Sequence, residues 1–228
     1  MEKEQWGPRL VAVVAGEIRR YRTDRHLSTQ QLSERCADLG WPIKRSVLSN
    51  LELGYRETVT VPEVLVIAKA LGVPPALLLF PVGREKLVEV LPGQCIGTWA
   101  AAKWFSGQEP FLTKRDDGDG WATTGADRDS WRESAIVYFM DQDAMLEEWS
   151  DWRRRADDAR KQAAAVTGPD MRSSYLRLAE SAEASMRQVE AQLREHRKAM
   201  RAADLDPGKL DSVLHHVEDD TGADTSTH

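Results

Sequence analysis

Between Lys44 and Leu53 the chain interleaves four polar residues, Arg45, Ser46, Ser49 and Asn50, with Val47, Leu48 and Leu51. On a helix the apolar three share an inward side, which leaves the polar four outward. Arg45 carries a planar fork that fits the two acceptors of a guanine edge. Asn50 carries an amide that fits the acceptor and donor of an adenine edge, and the serines can reach bases or phosphates. The major groove admits a helix and shows a different set of donors, acceptors and methyl groups at every base pair, so this partition is what base reading requires. Plain solvation also leaves a polar face on a short helix, so the set carries the reading rather than any one member.

Other residues suit the phosphate backbone. Ser28, Thr29 and Gln30 open the preceding helix, where free N–H groups favour anions and position a duplex without reading it. Lys44 and Arg56, at either end of the polar stretch, are further phosphate candidates. From Arg9 to Arg56 nine basic residues oppose five acidic ones, although the whole chain has a formal net charge of -6. That balance argues against a protein that coats nucleic acid indiscriminately, because such binding rests on many phosphate-neutralising cations. It leaves room for one basic face.

Several short helices must hold these residues. Leu10, Val13, Val14, Ile18 and Tyr21 recur at helical spacing and predict a helix over Leu10 to Arg22. Ser28 with Gln31 forms a capping box, so a second helix starts there, with Leu32, Cys36 and Leu39 inward and Gly40 and Pro42 ending it. A third spans Lys44 to Leu53 and stops at Gly54. Thr60, Pro62 and Glu63 open a fourth that ends at Gly72, and Pro74 and Pro75 start a short fifth, Ala76 to Phe80.

The capped second helix, the helix ending Leu51-Glu52-Leu53-Gly54 and the helix ending Ala70-Leu71-Gly72-Val73 resemble the Cro/C1-type, or XRE-family, helix-turn-helix repressors. The segment Ser33 to Ile43 is several residues longer than in the shortest members. The resemblance covers roughly the first third of the chain and implies an all-α, five-helix, lambda repressor-like domain over residues 1–83. It implies base contacts from Arg45, Ser46, Ser49 and Asn50. It also implies an ion pair between Arg22 and Glu52 that fixes the first helix on the third.

Beyond that domain the signals change. Residues 84–130 read as a linker with a small Trp-rich element around Trp99, Trp104 and Phe105, in which Val82 to Val90 is either a short helix or a strand and Pro92-Gly93 is a turn. Asp116 to Gly120 has the composition of a calcium loop, but Arg115 and Ala126 stand where ligands belong, so a surface loop is expected. Over residues 131–203 apolar residues alternate three and four apart. Ala135, Tyr138, Gln142, Met145, Trp149, Trp152, Ala156, Ala159, Ala163 and Val166 lie on one helix, and Tyr175, Ala179, Ala182, Met186, Val189, Leu193, His196 and Met200 on another, with Gly168-Pro169 between. The short connection predicts an antiparallel, coiled-coil-like helical hairpin for dimerisation or for a protein partner. Residues 204–228 are strongly acidic and are expected to form a disordered tail.

Composition narrows the function classes. No run approaches the ~18 apolar residues of a membrane span, and the acidic start MEKEQWGPRL is unlike a signal peptide, so no membrane association and a cytoplasmic location are expected. Cys36 and Cys95 form no metal or redox spacing and read as reduced thiols, and His215-His216 has no third ligand nearby. No metal and no cofactor are expected. No nucleophile has a plausible base, no glycine loop could cradle a phosphate and no carboxylates pair in an apolar setting, which argues against an enzyme. The expected function is a sequence-specific transcriptional regulator, of repressor type, reading double-stranded DNA. As a homodimer it would bind a palindromic operator with half-sites about one helical turn apart. A second reading is an adaptor or antitoxin-type module that uses the helix-turn-helix and the hairpin to hold another protein.

Overall fold

The computed structural model describes residues 6–114 and 120–218. Most of these are helical, and the chain divides into two compact units, Met1–Trp131 and Arg132–His228.

In the first unit α1 (Trp6–Asp24) begins earlier than its apolar spacing suggests and buries Val11, Val14, Ala15 and Ile18. The boundary of α2 (Thr29–Asp38) follows from chemistry local to the chain. The Ser28 hydroxyl accepts from the Gln31 N–H at 3.1 Å and the Gln31 side chain accepts from the Ser28 N–H at 2.8 Å. The connection to α3 (Arg45–Glu52) turns at Gly40, whose φ of 85° favours glycine. The Ser33 hydroxyl ties that connection down by donating to the Ile43 carbonyl at 2.5 Å. Thr60 and Glu63 form a second capping box on α4 (Val61–Leu71), and α5 (Ala76–Leu79) closes the group. Ile18, Leu32, Cys36, Leu48, Ile67, Leu71 and Leu78 are fully buried among these five helices. Burial pushes the Cys36 thiol up to about 11, so it behaves as a small apolar side chain.

The next segment settles as strand. β1 (Leu87–Leu91) pairs antiparallel with β2 (Gln94–Gly97) across the turn at Pro92-Gly93, and α6 (Thr98–Phe105) follows. Val88, Val90, Ile96, Ala101 and Phe80 make a second small core. Trp104 packs edge-on against Phe111, with ring centres 4.9 Å apart, whereas Trp99 stands exposed. Arg9 of α1 bonds the Glu89 carboxylate of β1 at 2.8 Å. The Gly93 N–H and then Arg9 hold that carboxyl below the ordinary range. β3 (Thr113–Lys114) pairs with β4 (Trp121–Ala122), and α7 (Gly125–Arg132) follows. The acidic loop around Asp117 lies outside the described residues.

In the second unit α8 (Ala135–Ala165) packs on α9 (Pro169–Ala202). His196 Nε2 lies 2.8 Å from the Tyr138 carbonyl, Trp149 Nε1 donates to Glu190 at 2.9 Å and Arg160 pairs with Glu183 at 2.5 Å. Partner numbers rise on one helix as they fall on the other, so the two run in opposite senses. Ala156, Ala163, Ala179 and Ala182 are buried, and side chains this small allow the two helices to approach closely.

The expectation of a disordered tail from Asp204 is corrected for the described part. Residues 205–218 fold back onto the helix pair, ending in a 3-10 helix, Ser212–Val217. Leu214 and Val217 bury against Trp149, Val189 and Leu193, with Leu210 beside them. Arg197, 1% exposed, donates to the Gln142 side chain, to the Pro207 and Gly208 carbonyls and to Glu218. Three apolar residues and one buried cation with four acceptors outweigh the acidic composition. Residues 219–228 lie outside the described residues.

Candidate nucleic-acid interface

An ion pair joins α3 to the end of α1. Arg22 Nε and Nη2 donate to the two oxygens of Glu52 at 2.7 and 2.6 Å, and Arg22 Nη1 donates to the Leu27 carbonyl at 2.7 Å. The side chains are 15% and 7% exposed, so solvent screens them little. The hydrogen bonds to Glu52 raise the Arg22 guanidinium above its ordinary value despite the opposing effect of burial. A bidentate fork fixes orientation as well as distance, so the end of α1 sets the direction of α3. Leu48 and Leu51 anchor the inner side and Val47 is half-buried.

The outer side is open. Arg45, Ser46 and Asn50 are exposed and Ser49 is half-buried. Among the described residues none of these four side chains has a hydrogen bond, ion pair or ring contact. This contrasts with Arg20, which bonds Glu17 and Asp24, and with Arg22, which bonds Glu52. Four side chains with unused donors and acceptors therefore line one face of a helix whose backbone is held in place.

The backbone-contact candidates divide. Lys44 is exposed at the N-cap of α3 and its side chain is unengaged among the described residues. Ser28 spends its hydroxyl on the capping box, while the N–H groups of Thr29 and Gln30, in the first turn of α2, have no acceptor among the described residues. Thr29 is half-buried, and the Gln30 amide donates to Glu34 at 2.9 Å. Arg56, the remaining phosphate candidate, is already engaged within the chain. Its Nη1 and Nη2 reach the two oxygens of Glu63 at 2.9 and 3.3 Å, so it ties the loop after α3 to the start of α4. Burial pushes the Glu63 carboxyl up, but bonds from Arg56 and from Thr60 outweigh this and leave it below the usual range.

Sequence reasoning passed over the residues that flank α3. Trp41, Leu53 and Tyr55 are 51%, 60% and 76% exposed, standing at the two ends of the helix. Large side chains beside Gly40 and Gly54 were the available signal, since turn positions next to a helix end seldom reach a core.

No model of a known protein family matches the chain, and no curated protein or solved structure matches it either. Among the described residues no helix is long and apolar enough to cross a membrane.

Proposed function

We propose that residues 6–80 form a Cro/C1-type DNA-binding domain, that α3 is its recognition helix, and that the protein is a sequence-specific transcriptional regulator. The observation that carries this reading is the outer face of α3. Arg45, Ser46, Ser49 and Asn50 keep their hydrogen-bonding capacity unspent, on a helix oriented by the Arg22–Glu52 fork. Arg45 reads a guanine, Asn50 an adenine, and the serines reach bases or phosphates. Lys44 and the opening N–H groups of α2 set the register against phosphates. One domain of this size reads few base pairs, so the regulator binds as a dimer to two half-sites. In this reading α8 and α9 form a helical hairpin that supplies the dimer or partner surface. The test is selection of bound sequences from random duplexes by the full chain. Enrichment of a two-fold symmetric motif supports the reading, and failure to enrich any motif removes it.

The exposed Trp41, Leu53 and Tyr55 favour a second reading, in which the same face holds a protein, as an adaptor or antitoxin-type module does. The two part on salt. DNA affinity falls steeply as counterions are added, whereas binding through apolar side chains does not.

A further inference from the structure

The first unit also contains an apolar cavity. It has a volume of about 640 Å³, and its walls come from α1, the loop before α4, α4, α5 and the end of α6. Such a volume lies in the ~300–1,000 Å³ range of small-molecule sites. Val11, Val14 and Val64 are buried at its floor, while Val61, Leu65 and Phe105, also lining it, are 71%, 51% and 53% exposed. Apolar side chains thus line the cavity from floor to rim, and the rim is left in water. A cavity built this way takes an apolar body.

Charge narrows the ligand further. Among the described residues that line the cavity Glu57 alone is ionisable, with Thr58 and Ser106 the hydroxyl-bearing ones. The Glu57 side chain is exposed and has no partner among the described residues, unlike Glu52 and Glu63, each held by an arginine. Phe105 stacks edge-on with Phe80, ring centres 5.6 Å apart, and is still half in solvent. An unpaired carboxylate and an open aromatic ring on one apolar cavity are the two groups that attract an organic cation, the ring through its negative face.

We propose that this cavity is a binding site for a lipophilic cation, an amine or quaternary ammonium with an apolar chain seated along Val61, Leu65 and Phe105 and its charge held at the rim by Glu57. The site is separate from the α3 face and does not rest on the DNA-binding reading.

The test is calorimetric titration of the full chain with decyltrimethylammonium, decanol and decanoate, each below its micelle concentration. These probes share an apolar chain and differ in the charge of the headgroup. The cation binds tightest and decanoate weakest. Glu57→Gln weakens the cation about threefold, as loss of one exposed charge partner should, and leaves decanol unchanged. Val61→Lys, at an exposed position on the rim, reverses the order so that decanoate outbinds the cation. Both substitutions lie at solvent-exposed side chains, and an unchanged circular dichroism spectrum shows that they fold. The proposal is overturned if decyltrimethylammonium does not bind, if the order of the probes is indifferent to both substitutions, or if sedimentation shows that a second copy of the chain covers the cavity and excludes the probes.

Discussion

Arg22, late in α1, and Glu52, at the end of α3, are joined by two parallel hydrogen bonds of 2.7 and 2.6 Å, which add to the buried Leu48 and Leu51 in holding α3 on α1. The pair is nearly buried, so its partners stand or fall together. Glu52→Gln leaves a guanidinium short of its acceptor charge and lowers stability by about 3 kcal/mol in urea unfolding, the cost of breaking a buried pair from one side. Arg22→Met combined with Glu52→Leu costs less than either single change, because no charge is left buried alone.

Lys44 and Arg45 are neighbours with different expected roles, and substitution separates them. Lys44→Ala lowers affinity for all duplexes alike and reduces the dependence of log affinity on log salt by about one unit, as loss of one phosphate contact requires. The check is a fluorescence anisotropy titration over a range of salt on unrelated duplexes. A loss confined to one sequence contradicts a phosphate role.

Glu63 confers a pH dependence on the first unit. Its carboxyl is held below the usual range in the folded chain, so its stabilisation is fully present above the unfolded value, ~4.3, and is lost as pH falls through the depressed folded value. Glu63→Gln is therefore less stable than the parent at pH 6, and the gap narrows as acid is added below pH ~4.3. A gap that holds constant down to pH ~3 shows that the carboxylate charge is not what stabilises the loop.

Arg197 holds the 205–218 segment in place. Desolvation lowers its guanidinium from the ordinary value, and the bonds to Gln142, Pro207, Gly208 and Glu218 compensate that burial. Arg197→Met removes the charge and its donors to Gln142 and Gly208, while Pro207 keeps the Gln142 amide and Glu218 keeps the Leu210 N–H. Amide exchange at Leu214 and Leu205 quickens by at least tenfold while α8 and α9 near Ala156 stay protected, a tenfold change being ~1.4 kcal/mol of local opening. Unchanged exchange at Leu214 shows that Leu210, Leu214 and Val217 suffice.

What could be read from the sequence was local. Ser28 with Gln31, Thr60 with Glu63, and Gly54 and Gly72 mark helix ends because each cap closes within a few residues of chain. The outward set from Arg45 to Asn50 follows from helical spacing alone. Choices that depend on tertiary placement were hidden. Arg56 resembles a phosphate ligand until the loop after α3 brings it to Glu63. Arg197 lies between Leu193 and Met200 on the inner side of α9, a position usually assigned to apolar residues, and its acceptors are contributed from as far away as Gln142. The acidic residues after Asp204 mask the spacing of Leu210, Leu214 and Val217, which only the surface of the helix pair makes useful. In β1 the five-residue run Leu87–Leu91 is too short for its period to separate strand from helix.

Base reading by Arg45 is tested by comparing the full chain with Arg45→Ala in selection from random duplexes. The parent should enrich a two-fold symmetric site with a guanine in each half. Arg45→Ala then binds the same site ~1 to 3 kcal/mol more weakly and loses preference at that one position in each half. Identical enriched sequences from the two proteins, or none from the parent, contradict it.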